Sequence, residues 1–249
     1  QVFRQQGASA PIPVGTTTEP TVLFLDSSAV PGVSYTYTVR ATTQAGTGPE
    51  GKGDSGYRQV SAPTGVSATD GTSSAHVLVT WVASPGASGY QVFRSGTPAA
   101  IGVLNGSATS FFDTTVPVGT RFSYTVKTTG ATAGSLSAAS APDSGWRNQE
   151  GPRGVSASDD ERTRVRVKWL PMTGTPTITG YLVLRSLGSA PPIELGVVPS
   201  TALLFDDLTA IPGQTYSYVV KARFTIVGSA PAEAVYSMGS NPDTGIRVP

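Results

Sequence analysis

The 249-residue sequence carries 38% hydrophobic and only 13% charged residues, with a formal net charge of +1. That balance excludes a disordered acidic or basic tail and gives no field to attract nucleic acid or an anionic membrane. Cysteine is absent, so neither a disulfide framework nor a thiolate metal site can be built, and no apolar run approaches the roughly 20 residues of a membrane helix.

In chain order, one plan occurs three times. The first copy opens with Gln1-Val2-Phe3-Arg4, continues to the apolar pair and acid Phe24-Leu25-Asp26, and turns at Pro31-Gly32. An aromatic strand follows, with Tyr35, Tyr37 and Val39 on one face and Thr36, Thr38 and Arg40 on the other. The copy closes on Asp54-Ser55-Gly56-Tyr57-Arg58. Period-two alternation with one apolar side predicts strands that are buried on one face and wet on the other.

The second copy adds a front half. His76, Leu78 and Thr80 alternate with Val77, Val79 and Trp81. Gly89-Tyr90 then precedes Gln91-Val92-Phe93-Arg94, followed by Phe111-Phe112-Asp113, the strand Phe122 to Lys127, and the closing Asp143-Ser144-Gly145-Trp146-Arg147. The third copy repeats the order. Val165, Val167 and Trp169 alternate with Arg164, Arg166 and Lys168; Gly180-Tyr181 precedes Leu182-Val183-Leu184-Arg185; then come Leu204-Phe205-Asp206, Tyr216 to Lys221, and Asp243-Thr244-Gly245-Ile246-Arg247. The spacing between closing motifs, about 90 to 100 residues, is too long for a solenoid unit and suits a small independent domain. Glycine and proline, 29 and 20 residues respectively, punctuate the short strands as tight turns require.

These landmarks resemble the fibronectin type III family over essentially the whole chain. The family's early proline of strand A matches Pro63 and Pro152, its strand B tryptophan matches Trp81 and Trp169, and its Gly-Tyr opening of strand C matches Gly89-Tyr90 and Gly180-Tyr181. Its E–F corner matches Pro31-Gly32-Val33-Ser34-Tyr35 and Pro212-Gly213-Gln214-Thr215-Tyr216. The wording of the repeats resembles bacterial modules of surface or secreted proteins more than animal ones. The resemblance implies an all-β fold of serial immunoglobulin-like sandwiches, arranged as beads on a string, with a partial module at 1–59 lacking strands A and B and complete modules at 60–148 and 149–249. It implies a corner tyrosine whose hydroxyl returns to nearby backbone. The second copy has Phe122 there and Val118-Gly119 in place of Pro-Gly, so Phe122→Tyr is expected to add roughly 1 kcal/mol.

The first copy has no counterpart of the Val-x-Val-x-Trp strand. About five inward side chains at about 1.5–3 kcal/mol each would lose cover, so residues 1–59 are not expected to fold alone. The missing strands are expected from upstream sequence, with donation by another chain, and so a possible homopolymer, as the alternative.

Chemistry is sparse. The single histidine, His76, has no second histidine or cysteine to share a metal, and reads as a solvent-facing strand position. Asp159-Asp160-Glu161 and Asp206-Asp207 are the acidic clusters; an Asp recurring once per copy as Asp26, Asp113 and Asp206 reads as a turn cap. Arg162, Arg164 and Arg166 read as the wet face of a strand. Calcium near Asp143 or Asp243 has too few ligands for a dedicated site. In the closing motif, Tyr57 or Trp146 is expected to pack on the next module, with Arg58 and Arg147 pairing to Asp54 and Asp143; the alternative is an exposed aromatic that stacks on a sugar ring. The loop Ser95-Gly96-Thr97-Pro98 and the long segment Phe224–Glu233 are candidate binding loops.

No catalytic, cofactor-binding or metal-ligating residue is assigned, and no cofactor is expected. The expected function is a non-catalytic, extracellular or cell-surface spacer array, bacterial in style, within a larger surface, sheath, adhesin or filament protein. The alternatives are a carbohydrate- or protein-binding adhesion module, or accessory modules of a secreted glycan-degrading enzyme. Neighbouring modules are the expected partners, with a glycan or protein ligand possible and neither nucleic acid nor membrane insertion.

Overall fold

A computed structural model describes all residues, Gln1–Pro249. The chain is all-β, with twenty strands and no helix. The first repeat contributes β1 (Val2–Gln5), β2 (Ile12–Gly15), β3 (Ser34–Thr43), β4 (Gly46–Glu50) and β5 (Asp54–Tyr57). They form one sheet in the order β2-β1-β3-β4, with β5 also on β3. The second repeat contributes β6 (Thr64–Ala68), β7 (Val77–Val82), β8 (Gly89–Arg94), β9 (Gly102–Asn105), β10 (Ser110–Asp113), β11 (Arg121–Thr129) and β12 (Asp143–Trp146). These make sheets β10-β7-β6 and β12-β11-β8-β9. In the third, β13 (Ser156–Ala157), β14 (Val165–Lys168) and β17 (Leu204–Asp207) form one sheet. The other holds β15 (Ile178–Ser186), β16 (Ile193–Pro199), β18 (Thr215–Thr225), β19 (Ala234–Tyr236) and β20 (Asp243–Ile246). The repeated antiparallel sheets resemble a serial arrangement of fibronectin type III-like sandwiches.

Contacts divide the chain into two compact units. One comprises Gln1–Ser67, Val79–Phe111 and Tyr124–Asp143; the other comprises Ala68–Leu78, Phe112–Ser123 and Ser144–Pro249. The second repeat thus contributes residues to both, and each junction between successive repeats lies inside one unit.

The third repeat shows why alternation becomes a core. Val165 and Val167 of β14, with Trp169 just beyond, meet Tyr181 and Val183 of β15 and Tyr216, Tyr218 and Val220 of β18 in one buried cluster. Two sheets each bury one face, as period-two patterning requires. Trp169 tilts on Tyr181 at 5.3 Å between ring centres, and the Tyr181 hydroxyl accepts the Met172 N–H at 3.1 Å. Trp81 and Tyr90 repeat the first contact at 5.3 Å, and Tyr90 accepts the Ser84 N–H at 2.9 Å. The short tyrosine-to-backbone bonds therefore belong to the Gly-Tyr at the head of β8 and near the head of β15. At the corner itself, Tyr35 accepts the Val30 N–H at a long 3.4 Å. The expectation for Phe122→Tyr is revised accordingly: the change in melting free energy should stay within about 0.5 kcal/mol, since a long bond adds little.

Between β18 and the closing strand, serine side chains replace backbone as acceptors. Ser237 Oγ accepts the Ala222 N–H at 2.9 Å and Ser240 Oγ accepts the Val220 N–H at 3.0 Å. Ser137 and Ser140 do the same for Thr128 and Val126 at 2.9 and 3.0 Å. Ser237 is buried and its hydroxyl also donates to the Met238 carbonyl at 2.7 Å. Ser237→Ala would orphan a buried N–H, and a loss of about 1–3 kcal/mol in denaturant unfolding is expected.

Candidate functional site

The recurring arginine of β1 and β15 does not face water. Arg4 Nη1 donates to Asp26 Oδ2 at 2.8 Å, the Tyr37 hydroxyl donates to the same oxygen at 3.0 Å, and Ser28 donates twice to Oδ1. In the third repeat Arg185 Nη1 donates to Asp207 Oδ2 at 2.7 Å, and the Tyr218 hydroxyl donates to the same oxygen at 2.9 Å. Thr209 closes the other oxygen with its N–H at 2.9 Å and its hydroxyl at 2.7 Å. Each guanidinium also lies over a corner ring, 4.6 Å from Tyr35 and 4.3 Å from Tyr216. Burial pushes the Asp26 carboxyl up, but the Ser28, Tyr37 and Arg4 hydrogen bonds outweigh it and hold the group at about 2. The same balance, with Thr209, Arg185 and Tyr218, holds Asp207 below its ordinary value. Tyr218 is raised, by burial first and then by its bond to Asp207. A carboxylate saturated in this way has no lone pair left for a substrate; the cluster is structural.

This geometry corrects the alignment of the third acid. Asp207, not Asp206, is the counterpart of Asp26, and Asp113 accepts from Thr115 as Asp207 does from Thr209. Phe24, Phe111 and Phe205 pack against Gly15, Gly102 and Gly196 respectively, which fixes the same register. Asp206 points the other way and binds Arg166 Nε at 2.8 Å and Arg164 Nη1 at 3.2 Å; Glu161 also pairs with Arg164. The outer face of β14 is therefore a half-exposed ion-pair network rather than a free basic stripe.

His76 sits edge-on against Phe112, 4.6 Å between ring centres at 83°. No three His, Cys, Asp or Glu side chains gather as a metal ion would need. Asp243 Oδ2 accepts the Ala157 N–H at 2.8 Å, tying β20 to β13.

The closing motif departs from expectation at its arginine. Arg58 donates to the Ser27 carbonyl at 3.1 Å, Arg147 to Thr114 at 3.2 Å, and Arg247 to Arg162 at 2.6 Å and Ala210 at 3.3 Å, in place of pairing with Asp54 or Asp143. The carbonyls of Arg58, Arg147 and Arg247 in turn accept from Gly32, Gly119 and Gly213 at 2.7, 2.9 and 2.8 Å. All three glycines take positive φ, at 76°, 65° and 79°, as the corner turn demands.

Trp146 is 5% exposed and packs with Phe224 and Ile226 of the third repeat, its ring meeting Phe224 at 6.0 Å and 77°. Tyr57, at 43% exposure, has no such cover. The long segment Phe224–Glu233 is also used at this junction. Val227 N–H donates to Gly119 O, and Val227 O accepts from Arg121 N, both at 2.9 Å. Arg121 then reaches Glu233 at 2.9 Å and Asp70 at 3.4 Å. The preceding junction uses the same corner: Thr132 N–H donates to Gly32 O at 2.8 Å, and Gln59 Nε2 to Leu136 O at 2.6 Å.

No protein-family model matches the chain. Exoglucanase B of Cellulomonas fimi is 31% identical over 198 residues, 73% of this chain and 17% of that protein. Endoglucanase B of Cellulomonas fimi is 30% identical over 166 residues, 61% of this chain and 15% of that protein. The chain thus spans about one sixth of the length of the curated relatives it matches. Among solved structures, a two-domain fibronectin type III segment of chicken tenascin aligns at 18% identity with a TM-score of 0.38, covering 74% of this chain and 97% of that one.

Proposed function

We propose that this chain is a set of non-catalytic accessory modules of a secreted polysaccharide-degrading enzyme, with module boundaries at 1–59, 60–148 and 149–249. The observation that carries the reading is the pairing of identity and coverage. Nearly three quarters of the chain resembles a glucanase, yet it accounts for only 17% of that protein. A segment of this size, with Asp26, Asp206, Asp207 and Asp243 committed to side-chain clusters, ion pairs and a strand tie, serves the enzyme as a spacer. The reading supersedes the surface scaffold as the leading function and keeps its mechanical content: docked repeats hold reach without a long flexible linker.

The test is capture of the native polypeptide with antibodies raised against this chain, followed by assay on soluble cellulose and other glucans. Release of reducing sugar by the captured polypeptide, and none by the 249 residues alone, is the expected result. A captured polypeptide inert on every glucan would return the array to the scaffold reading.

A further inference from the structure

We propose that Asn105–Gly106 is a self-modification site, where the Gly106 nitrogen attacks the Asn105 side-chain amide and the isoaspartate formed loosens the junction between the first and second repeats. The inference is independent of which enzyme or surface carries the chain. One cap geometry occurs four times. Asp26 Oδ1 accepts the N–H and hydroxyl of Ser28 at 2.9 and 2.7 Å, and Asp113 Oδ1 those of Thr115 at 3.0 and 2.7 Å. Asp207 Oδ1 accepts those of Thr209 at 2.9 and 2.7 Å. Asn105 Oδ1 accepts from Ser107 in the same way, at 3.1 and 2.7 Å. At Asn105 alone among the four, the capped group is an amide and the next residue is glycine, in place of Ser27, Thr114 or Leu208. An ionised carboxylate resists a nucleophile, whereas two donors on an amide oxygen stabilise the negative charge that attack at Cγ places there.

The Gly106 nitrogen bonds to Asn105 Cγ and gives its proton to solvent hydroxide. The Cγ–Nδ2 bond then breaks as that nitrogen takes a proton, and ammonia leaves. Water opens the resulting five-membered imide. Attack at Cγ restores the backbone and gives aspartate; attack at the main-chain carbonyl gives isoaspartate, with the chain running through Cγ.

The fold leaves this site free to react. Asn105 is exposed at the end of the edge strand β9. The turn behind it closes on one backbone bond, Ala108 N–H to Asn105 O at 3.2 Å, so it opens at little cost. The other asparagines are protected: Asn148 is buried with its Nδ2 on the Gly71 carbonyl at 2.8 Å, and Asn241 precedes Pro242, which has no N–H to attack. In the related pair Asp70–Gly71, the Gly71 N–H is committed to Trp146 O at 2.9 Å.

Packing keeps the reactive pair in place. A methyl group on Gly106 would lie 2.3 Å from the Ala87 carbonyl oxygen, so only glycine fits. Isoaspartate adds a methylene to the backbone at that same contact. The adjacent Gly86 is equally tight, since a methyl group there would lie 2.2 Å from the carbonyl oxygen of Pro31 in the first repeat. Displacement at Ala87 therefore reaches the corner whose Gly32 carbonyl accepts the Thr132 N–H.

The experiment ages the full chain in mildly alkaline buffer and follows its tryptic peptides by mass. The peptide Ser95–Arg121 should gain one mass unit and resolve into two products, one of them a substrate for isoaspartyl methyltransferase, while peptides holding Asn148 and Asn241 stay unchanged. Ser107→Ala, which keeps the N–H and loses the hydroxyl donor, should slow the reaction by about threefold or more. In the isoaspartate fraction the Thr132 amide should exchange about tenfold faster. Asn105→Asp, which adds the charge without the methylene, should leave that amide at the parent rate. A folded-chain rate more than about a hundredfold below that of the isolated peptide Ser95–Arg121 would mean that the turn protects the pair, and overturns the proposal. An unchanged rate in Ser107→Ala overturns the role of the cap, and unchanged Thr132 exchange in the isoaspartate fraction overturns the effect on the junction.

Discussion

Asp207→Ala is expected to destabilise the third repeat by about 3–5 kcal/mol, the range for removing one member of a buried ion pair, whereas Asp206→Ala one residue away should cost under about 1 kcal/mol. Asp207 is 2% exposed and holds Arg185, Tyr218 and both donors of Thr209. Without it the guanidinium is left charged, poorly solvated and stacked on Tyr216. Asp206 shares its arginines with Glu161 at a half-exposed surface, where lost Coulomb attraction is largely replaced by water. A loss of that size is a large part of the 5–15 kcal/mol that holds a typical domain. Hydrogen exchange localises the effect: amides of β18 should lose protection in the Asp207 variant and keep it in the Asp206 variant. Equal losses in both would mean that Asp207 is not the counterpart of Asp26.

The same clusters set the acid limit of stability. Asp26 titrates at about 2 in the folded chain, and Asp207 is also held low, whereas an unfolded aspartate titrates near about 3.9. A depressed folded value means that the unfolded chain takes up protons first. The stabilisation is therefore fully present above about pH 4 and is lost as pH falls toward about 2. Asp207→Ala should remove the third repeat's share of that slope while leaving the share of Asp26.

The strands were legible because each inward position alternates with an outward one and the landmarks recur in order. The error at the third acid has a physical cause. In the first two repeats the outward residue beside the inward phenylalanine is apolar, Leu25 or Phe112; in the third it is Asp206, placed to meet Arg166 across the strand pair. An apolar pair followed by an acid is then found one residue early. The role of Arg4 and Arg185 was hidden for a different reason. An arginine at the end of a strand reads as solvated, and only the fold brings it to an aspartate about 22 residues on. Ser237 and Ser240 gave no signal in the sequence, because a hydroxyl that replaces a backbone acceptor leaves no periodic trace. The extra length around Val227 was visible as length alone; that it lies along Gly119 follows from packing between repeats, which no local pattern encodes.

Trp146→Ala should release the junction between the second and third repeats. A buried tryptophan truncated to alanine costs about 3–5 kcal/mol, and here its ring covers Phe224 and Ile226, side chains of the following repeat. The other polar ties include two backbone bonds at Val227, the Asn148 amide donating to the Tyr236 carbonyl at 3.4 Å, and the partly exposed Arg121 pairs with Glu233 and Asp70, each worth about 1 kcal/mol or less. They are too weak to hold a fixed angle once the ring and its cover are gone. Because the chain has no cysteine, spin labels can be placed singly at Ala75→Cys and Leu208→Cys, and their separation read by pulsed dipolar spectroscopy. The parent should give one narrow distribution and Trp146→Ala a broad one, while Trp146→Phe keeps most of the order. Tyr57→Ala is the matched control. Its side chain occupies the same place in the closing motif but stands exposed, so the first junction, built on Val60 and the close approach of Gly32 to Gly130, should be unchanged. A narrow distribution in Trp146→Ala would assign the junction to the Val227 backbone bonds, and with it the rigidity of the array to the length of that hairpin rather than to the tryptophan.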